Sequence, residues 1–282
     1  MSGPTSHLTK RNQNQRGILD QLIGTSVRFN GLIIPASSLT TTLGRYVDNL
    51  VVWNEHDIYK VSLVGSAVPV KFLERYFLLC TNHQLRGCRL ENVSLLGRDG
   101  RDIITSSGVR QFADENKPTY LDLAAFEFTE PCQAHPHLKE RFFELREIPP
   151  DAPSTDIVFA VVAGFPCLDQ KYELEEKNYI GKFKRIVLCQ LDPSSYDPAL
   201  MCLRTNEPLG FDPDGMSGGS AFVVQAVDGE FRAYFAGIVV TGGLDRFHII
   251  KVGLIEQFLA ELVNAGRVAK TGASDANLDF SR

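Results

Sequence analysis

The sequence predicts an all-β protein of the barrel or sandwich class, organised as two β-rich halves with one helix near the end. Short runs rich in Val, Ile, Leu, Phe and Tyr, bounded by Gly, Asn and Asp, recur along residues 31–145 and again after residue 156. Helical patterns do not alternate with these runs, which argues against an α/β fold. Three prolines within residues 146–156 mark the boundary between the halves, because proline cannot donate to a sheet ladder.

The chain accordingly divides into five segments. The polar segments at its two ends are expected to be flexible, and residues 17–30 suit a short helix followed by a strand. We predict, in order, a flexible segment at 1–16, a first β-rich half at 17–145, a linker at 146–156, a second half with its closing helix at 157–266, and a flexible tail at 267–282.

Two local patterns predict particular elements. The dipeptide Asp228-Gly229 lies between the apolar runs 221–227 and 230–240, which predicts a two-residue hairpin because both turn positions need a positive φ. In the segment GLIEQFLAELVNAG at residues 253–266, apolar residues recur at helical spacing. Gly266 at its end fits a helix C-cap.

Composition and charge exclude several classes of protein. The chain has 282 residues, of which 44% are hydrophobic and 22% charged, enough for one large core or two small ones. A net charge of −5 argues against a general nucleic-acid or anionic-membrane binder, since phosphate binding needs an excess of Lys and Arg. No apolar run approaches the roughly 18 residues that cross a bilayer, and the N-terminus lacks the apolar core of a secretory signal. We therefore expect a cytoplasmic protein without nucleic-acid or membrane partners.

The cysteines agree with a reducing compartment. The chain is long and lacks a recognisable signal, and four of its six cysteines have apolar neighbours in sequence, as is typical of buried thiols. There is no CxxC pair, and the His135-x-His137 pattern beside Cys132 lacks a fourth ligand, so no metal site is predicted.

The segment DGMSGGS at residues 214–220 carries the most informative pattern. A serine between glycines suits a nucleophile on a tight turn, and the backbone N–H groups of Gly215 and Ser217 are suited to holding a developing oxyanion. Gly218 and Gly219 allow close approach of other chain segments. The same letters also fit the GxSxG turn of α/β-hydrolases, or a glycine-rich hairpin loop with an exposed serine.

A serine nucleophile needs a base, and the base needs an orienting carboxylate. His83 directly follows an apolar strand, and Asp122 begins another. The order His83, Asp122, Ser217 differs from the order Ser, Asp, His of α/β-hydrolases, and the residues after Ser217 do not form βα units. Two alternatives stay open: His83 as a core histidine and Asp122 as a strand-end cap, with Asp114 as the substitute carboxylate.

These patterns resemble the trypsin-like serine proteases of the chymotrypsin fold, particularly bacterial-type trypsin-like peptidase domains related to the HtrA protease domain. The resemblance spans about residues 17–265 and is carried by LLCTNHQL, YLDLAAF, VVAGFP and GMSGGSAFV, followed by FAGIVVTGG and RFHIIKV. It implies two six-stranded antiparallel β-barrels with a C-terminal α-helix and an active site in the cleft between the barrels.

The resemblance also implies an activity and residue roles. The chain is expected to be a serine endopeptidase that hydrolyses protein or peptide substrates through an acyl-enzyme, without a cofactor. His83 is then the general base and later the acid, Asp122 orients its imidazole, Ser217 is the nucleophile, and the N–H groups of Gly215 and Ser217 form the oxyanion hole. The alternative is a catalytically silent pseudoprotease that serves as a protein-binding module.

Three positions depart from the family's pattern, and one of them, Ser220 in place of the proline common after Ser-Gly-Gly, is interpreted as a conservative loop variation. Gln84 follows the histidine, where the family commonly has Cys or Val. Met216 precedes the nucleophile, where the extracellular digestive branch has an Asp that pairs with a newly cleaved N-terminus, and no activation sequence is visible. We therefore expect folding directly to the final state, or control by a regulatory protein partner.

The resemblance assigns a substrate pocket beside the nucleophile. Phe211 stands where an Asp would give specificity for Lys or Arg, which favours a shallow apolar pocket for small or medium apolar side chains. His248 resembles the pocket histidine of glutamate-specific relatives, although the favoured interpretation is that it faces outward. The remaining predicted walls are Val240, Thr241, Gly242, Gly243 and Phe247.

Overall fold

The strands of a computed structural model form two large sheets, one in each half of the chain. The structure describes residues 24–54, 60–97, 102–111, 121–149, 157–173, 179–193 and 197–275. The strands before the linker are β1 Ser26–Phe29, β2 Leu32–Pro35, β3 Asp48–Trp53, β4 Val61–Phe72, β5 Arg75–Cys80, β6 Val93–Leu96, β7 Ile103–Thr105, β8 Gly108–Gln111, β9 Ala124–Glu127 and β10 Phe143–Glu144. Those after it are β11 Ile157–Gly164, β12 Lys171–Glu173, β13 Tyr179–Gly181, β14 Arg185–Asp192, β15 Leu200–Thr205, β16 Ser220–Val227, β17 Glu230–Gly242 and β18 Arg246–Lys251.

The helices among the described residues are few and mostly short. They are α1 Leu39–Leu43, α2 Thr129–Ala134 and α3 Val252–Asp275, and short 3-10 helices occur at Ala36–Ser38, Asn82–Leu85, Leu90–Asn92, Pro136–Arg141 and Cys167–Asp169. The mostly β class and the C-terminal helix are therefore confirmed. Within the described residues, no helix combines the length and the hydrophobicity that crossing a membrane requires.

The second half contains a closed six-stranded barrel. Its strands pair in the order β16, β11, β14, β15, β18, β17, and the last strand, β17, pairs with the first, β16, which closes the barrel. The β16–β17 hairpin turns at Asp228 and Gly229, whose φ angles are +51° and +79°. The barrel and the hairpin predicted for this half are both confirmed.

The first half is an open, barrel-like sheet, which corrects the prediction of a second closed barrel. Its strands pair in the order β7, β6, β3, β4, β5, β9, β8, and within the described residues no ladder joins β7 to β8. These two edge strands are consecutive in the chain. Between them, the Ser106 N–H donates to the Val93 carbonyl at 3.1 Å and the Ser107 N–H to the Glu127 carbonyl at 2.8 Å. The chain thus changes its hydrogen-bonding partner from β6 to β9 at these two serines, and the ladder is interrupted there.

Two predicted boundaries also differ from the structure. Strand β1 pairs in parallel with β17 and antiparallel with β2, so the range 17–145 contains two strands that extend the sheet of the other half. Helix α3 continues through Gly266 to Asp275 rather than ending at the predicted cap. The segment 1–16, most of the linker and the last seven residues lie outside the described residues.

The largest apolar cluster lies between the two halves. It combines side chains from β4, β5 and β10 with side chains from β16, β17 and helix α3, while a smaller cluster fills each half. At its centre the rings of Phe143 and Phe222, one from each half, meet edge to face with centroids 5.6 Å apart. Both side chains are at most 1% exposed. Because apolar side chains from both halves are buried together, the two halves are held in a fixed relation.

A charged contact at a buried carboxylate adds a second link between the halves. The Asp48 carboxylate of β3 accepts a hydrogen bond from Arg141 of the first half and lies 3.3 Å from the Lys182 ammonium of the second. Burial, together with the Arg141 charge, lowers the pKa of Lys182 to about 8.

We expect Phe222→Ala to lower the free energy of unfolding by about 3–5 kcal/mol, because it removes a fully buried ring from the core shared by the halves. Phe183→Ala is the matched control, since that ring is 47% exposed, and we expect it to cost less than about 1 kcal/mol. Urea unfolding followed by circular dichroism measures both values. Equal losses for the two variants would contradict the importance of the shared core.

Candidate active site

The histidine and the aspartate lie where two paired strands meet. Strand β5 ends at Cys80 and leads into the turn that carries His83, and Asp122 lies just before β9, whose Ala124 pairs with Cys80. The His83 backbone N–H donates to Asp122 Oδ1 at 3.0 Å, and His83 Nδ1 lies 2.5 Å from Asp122 Oδ2. This two-point contact fixes the ring, with Nδ1–H as the donor, so that Nε2 is available to accept a proton.

A neighbouring amide holds the segment of the aspartate. Asn82 Nδ2 donates to the Leu123 carbonyl at 3.2 Å and to the Leu121 carbonyl at 3.4 Å, one on each side of Asp122. Sequence reasoning did not select Asn82, although an amide directly before the candidate base is a signal that can be searched for. The alternative carboxylate, Asp114, lies outside the described residues.

The turn at residues 214–220, called the nucleophile turn after the predicted role of Ser217, is packed so closely that a Cβ would clash at each of its three glycines. Two of them also have a positive φ. Gly215 has φ +89°, and a Cβ there would lie 2.6 Å from the Cys167 backbone nitrogen. Gly218 has φ +77°, and a Cβ there would overlap the Ser66 carbonyl oxygen and lie 2.7 Å from Gln84 Oε1. Both glycines are therefore required by backbone conformation and by space.

The two backbone donors predicted for the oxyanion hole have no acceptor in the part of the chain that the structure describes. The N–H of Met216, between them, donates to the Pro213 carbonyl at 2.9 Å. Among the hydrogen bonds of the described residues, the N–H groups of Gly215 and Ser217 have no protein acceptor. Met216 itself is fully buried in the barrel core. Its apolar contacts anchor the turn at the position where the digestive branch of the resembled family uses a charge pair.

The Ser217 hydroxyl is hydrogen-bonded to a backbone carbonyl and not to the histidine. Ser217 Oγ donates to the Val240 carbonyl at 3.2 Å, and no hydrogen bond joins His83 to Ser217 in the described part of the chain. The segments are nevertheless adjacent, because Gln84, the residue after His83, donates its side-chain amide to the Ser217 carbonyl at 2.7 Å. The structure thus brings His83 and Asp122 together and places the turn of Ser217 beside them, with the Ser217 hydroxyl on another acceptor.

Ser66 is a buried polar residue of the site that the sequence did not indicate. Its hydroxyl donates to the Gly215 carbonyl at 2.7 Å and accepts from the Phe165 N–H at 2.8 Å, and its own N–H donates to the Ser217 carbonyl at 3.3 Å. The residue lies in the middle of β4 and is 0% exposed. The only signal was a Gly-Ser pair inside a long apolar strand.

The residues of the predicted substrate pocket have differing environments. The side chains of Val240 and Phe247 are fully buried in apolar clusters, and Thr241 and Gly242 are exposed at the end of β17. Gly243, half-buried, donates its N–H to the Arg246 carbonyl at 2.8 Å. The pocket stays a prediction, because two of its expected walls contribute to the core.

Phe211 and His248 are both half-buried. Phe211 lines a cavity of about 220 Å³, with the Arg185 guanidinium 5.4 Å from its ring centroid. His248 lies between Phe247 and Ile249, which both face the barrel core, so strand alternation directs the His248 side chain to the opposite face. This agrees with the outward orientation that the sequence interpretation favoured.

The cysteines are free thiols. Four of them, Cys80, Cys132, Cys189 and Cys202, are buried. Burial raises the pKa of Cys132 to about 12, and raises the pKa values of Cys80 and Cys189 well above their ordinary value. These thiols therefore stay protonated and are poor nucleophiles. Among the described residues, no group of His, Cys, Asp and Glu is arranged to hold a metal ion.

No protein-family model matches the sequence, and no curated protein matches it. One closed six-stranded barrel beside an open, barrel-like sheet, with the shared core between them, is compatible with a chymotrypsin-like architecture. The interpretation of the site therefore depends on its own geometry.

We expect Gly218→Ala to destabilise the protein more than Gly87→Ala does. Both glycines have φ +77°, so both substitutions incur the left-handed backbone cost of about 1–2 kcal/mol. A Cβ at Gly87 meets no described atom within 4 Å, whereas a Cβ at Gly218 meets Ser66 and Gln84. The contact adds about 1–3 kcal/mol for Gly218→Ala. Urea denaturation gives the difference, and equal values would refute the close packing of the turn.

Proposed function

We propose that the protein is a serine endopeptidase in which His83, Asp122 and Ser217 act as a catalytic triad. The observation that carries the proposal is the convergence of three distant segments. Asp122 holds His83 by two hydrogen bonds, and the residue after His83 is bonded to the carbonyl of Ser217. The unpaired N–H groups of Gly215 and Ser217 supply the oxyanion donors that acyl transfer needs.

The proposed reaction begins with a rotation of the serine side chain. The Ser217 hydroxyl leaves the Val240 carbonyl and donates to His83 Nε2. Its Oγ then attacks the carbonyl carbon of the scissile peptide bond while Nε2 takes the proton, and the oxyanion is held by the backbone donors. The C–N bond breaks as the imidazolium gives its proton to the leaving amine, which leaves an acyl ester on Ser217.

Water completes the cycle by the same route. His83 Nε2 takes a proton from the water as the water oxygen attacks the ester carbonyl. The second tetrahedral intermediate collapses, the proton returns to Ser217 Oγ, and the carboxylic acid product leaves. Asp122 keeps its charge throughout and stabilises the imidazolium. Every group that takes part in these reaction steps belongs to the chain itself, to the substrate or to water.

A second function, a binding module that holds peptides without cleaving them, is favoured by one observation. The Ser217 hydroxyl is bonded to the Val240 carbonyl, and it must leave that acceptor before catalysis can begin. Within the proposed peptidase, the same observation suggests a resting state in which a substrate or a regulatory protein partner promotes the rotation. Free, buried cysteines are consistent with the cytoplasmic location that we propose.

The direct test is labelling with a fluorophosphonate, which phosphonylates an activated serine with loss of fluoride. We expect stoichiometric modification of Ser217, located by mass spectrometry of the digested protein, because His83 Nε2 can activate that hydroxyl. Ser217→Ala is expected to abolish labelling and His83→Ala to slow it strongly. A folded wild-type protein that is never labelled near neutral pH would favour the binding module.

We expect Asp122→Asn to lower kcat by about 10⁴-fold, because an amide stabilises the wrong histidine tautomer and leaves the imidazolium without a counter-charge. Asp228→Asn is the matched control. It makes the same change in the β16–β17 turn, where asparagine tolerates the positive φ, and we expect wild-type activity. Steady-state hydrolysis of a peptide selected from a library measures both. A similar loss in the two variants would contradict the role of Asp122.

A further inference from the structure

The side chain of Gln84 uses every hydrogen-bonding position of its amide within the site. Its Oε1 accepts from the Thr81 backbone N–H at 3.0 Å and from the Thr81 hydroxyl at 2.8 Å. Its Nε2 donates to the Ser217 carbonyl at 2.7 Å and to the Ser66 carbonyl at 3.2 Å. An amide offers two donors and two acceptor lone pairs, so this one is saturated, and its orientation is fixed because the Thr81 N–H can only donate.

Two glycines make room for this amide. A Cβ at Gly65 would overlap Gln84 Nε2, and a Cβ at Gly218 would lie 2.7 Å from Gln84 Oε1. Both glycines have positive φ, at +131° and +77°. The amide therefore occupies a slot formed by backbone from β4 on one side and from the nucleophile turn on the other.

The hydrogen bond from Gln84 to the Ser217 carbonyl helps to determine the direction in which the Ser217 side chain leaves the backbone. A peptide unit is planar, so hydrogen bonds to its carbonyl oxygen restrict how the whole unit can turn. The unit before Ser217 is held at the Met216 carbonyl, which accepts from the Gly219 N–H at 2.9 Å. The unit after Ser217 is held by Gln84 Nε2 at 2.7 Å and by the Ser66 N–H at 3.3 Å. With both units held, the Cα–Cβ bond of Ser217 has one direction, and only side-chain rotation moves Oγ.

The same residue connects the nucleophile to the base. Gln84 follows His83 directly, and both belong to the single 3-10 turn Asn82–Leu85. A displacement of the nucleophile turn relative to His83 must therefore break the hydrogen bond from Gln84 to the Ser217 carbonyl. In the sequence, Gln84 is distinguished only as a departure from the Cys or Val common in the resembled family.

We propose that Gln84 is a positioning residue that sets the distance and direction between His83 and Ser217. This inference rests on the proposed peptidase function and adds to it a residue that touches neither the substrate nor the reacting atoms. It acts through the carbonyl of Ser217. The reaction depends strongly on such placement, since a displacement of about 1 Å costs about a hundredfold in rate.

The test compares Gln84→Met and Gln84→Glu with the same changes at Gln170. Gln170 is the matched control because its amide also binds backbone: Nε2 donates to the Pro166 and Phe183 carbonyls at 2.8 and 2.9 Å, and Oε1 accepts from the Phe183 N–H at 3.1 Å. We expect Gln84→Met to lower kcat by about 10- to 100-fold with KM within about twofold of wild type. Gln84→Glu should lower kcat further, because the new carboxylate would face the Ser66 and Ser217 carbonyl oxygens, which it repels. The Gln170 variants should keep kcat and KM within about twofold.

A second readout separates positioning from general stability. A peptide aldehyde forms a hemiacetal with Ser217, and the former aldehyde oxygen then occupies the oxyanion hole. A peptide substrate bound to the Ser217→Ala variant forms no such covalent bond. We expect the affinity for the aldehyde to fall by the same factor as kcat in Gln84→Met. The affinity for the peptide substrate should be the same in the single variant Ser217→Ala and in the double variant that also carries Gln84→Met. Parallel losses of both affinities would overturn the positioning role.

The remaining outcomes distinguish this inference from the proposed function. If wild type is labelled at Ser217 and Gln84→Met has wild-type kcat, the role of Gln84 is overturned and the peptidase function stands. If wild type is never labelled, both fall together. Thermal unfolding checks that each variant is folded. If both Gln84 variants fail to fold while both Gln170 variants fold, the Gln84 amide is needed for stability, and the inference is overturned.

Discussion

The apolar core shared by the two halves is the contact on which the candidate site depends. His83 and Asp122 belong to the first half and Ser217 to the second, so the three residues are neighbours only while the halves are packed together. The edge-to-face contact of Phe143 and Phe222, both at most 1% exposed, lies at the centre of that packing. Separation of the halves would expose these rings and the apolar strands around them, and exposing apolar surface to water costs free energy roughly in proportion to its area.

Burial alone does not determine the angles that catalysis needs. The hydrophobic effect is non-directional and scales with area, so it brings segments together without selecting one orientation. Hydrogen bonds depend on direction as well as distance. In this site the directional contacts come from Ser66 on β4, from Gln84 beside His83, and from Asn82, which holds the Asp122 segment. The shared core thus supplies proximity, and these three polar side chains supply orientation.

The features that could be predicted from sequence are those that depend on local chemistry. Short apolar runs bounded by Gly, Asn and Asp predicted the β class, and the Asp228-Gly229 pair predicted the hairpin. The order of three motifs selected His83 and Asp122, which are hydrogen-bonded. The parallel pairing of β1 with β17 and the ladder interruption at Ser106 depend on distant partners, which no local pattern shows. Helix α3 continues through Gly266 because an interior glycine costs only about 1 kcal/mol.

The sequence could not indicate the orientation of the Ser217 hydroxyl. The hydrogen bond that holds this orientation contributes only a small free energy. A hydroxyl–carbonyl hydrogen bond contributes about 0.5–1.5 kcal/mol net, and the bond that Ser217 Oγ would form with His83 Nε2 is of the same kind. Even without that compensation, leaving the Val240 carbonyl would cost about tenfold in rate, since a factor of ten corresponds to 1.36 kcal/mol. Enzymes accelerate their reactions by about a millionfold or more. Catalytic silence would therefore require a larger obstacle than this hydrogen bond, and the peptidase is the better supported of the two proposed functions.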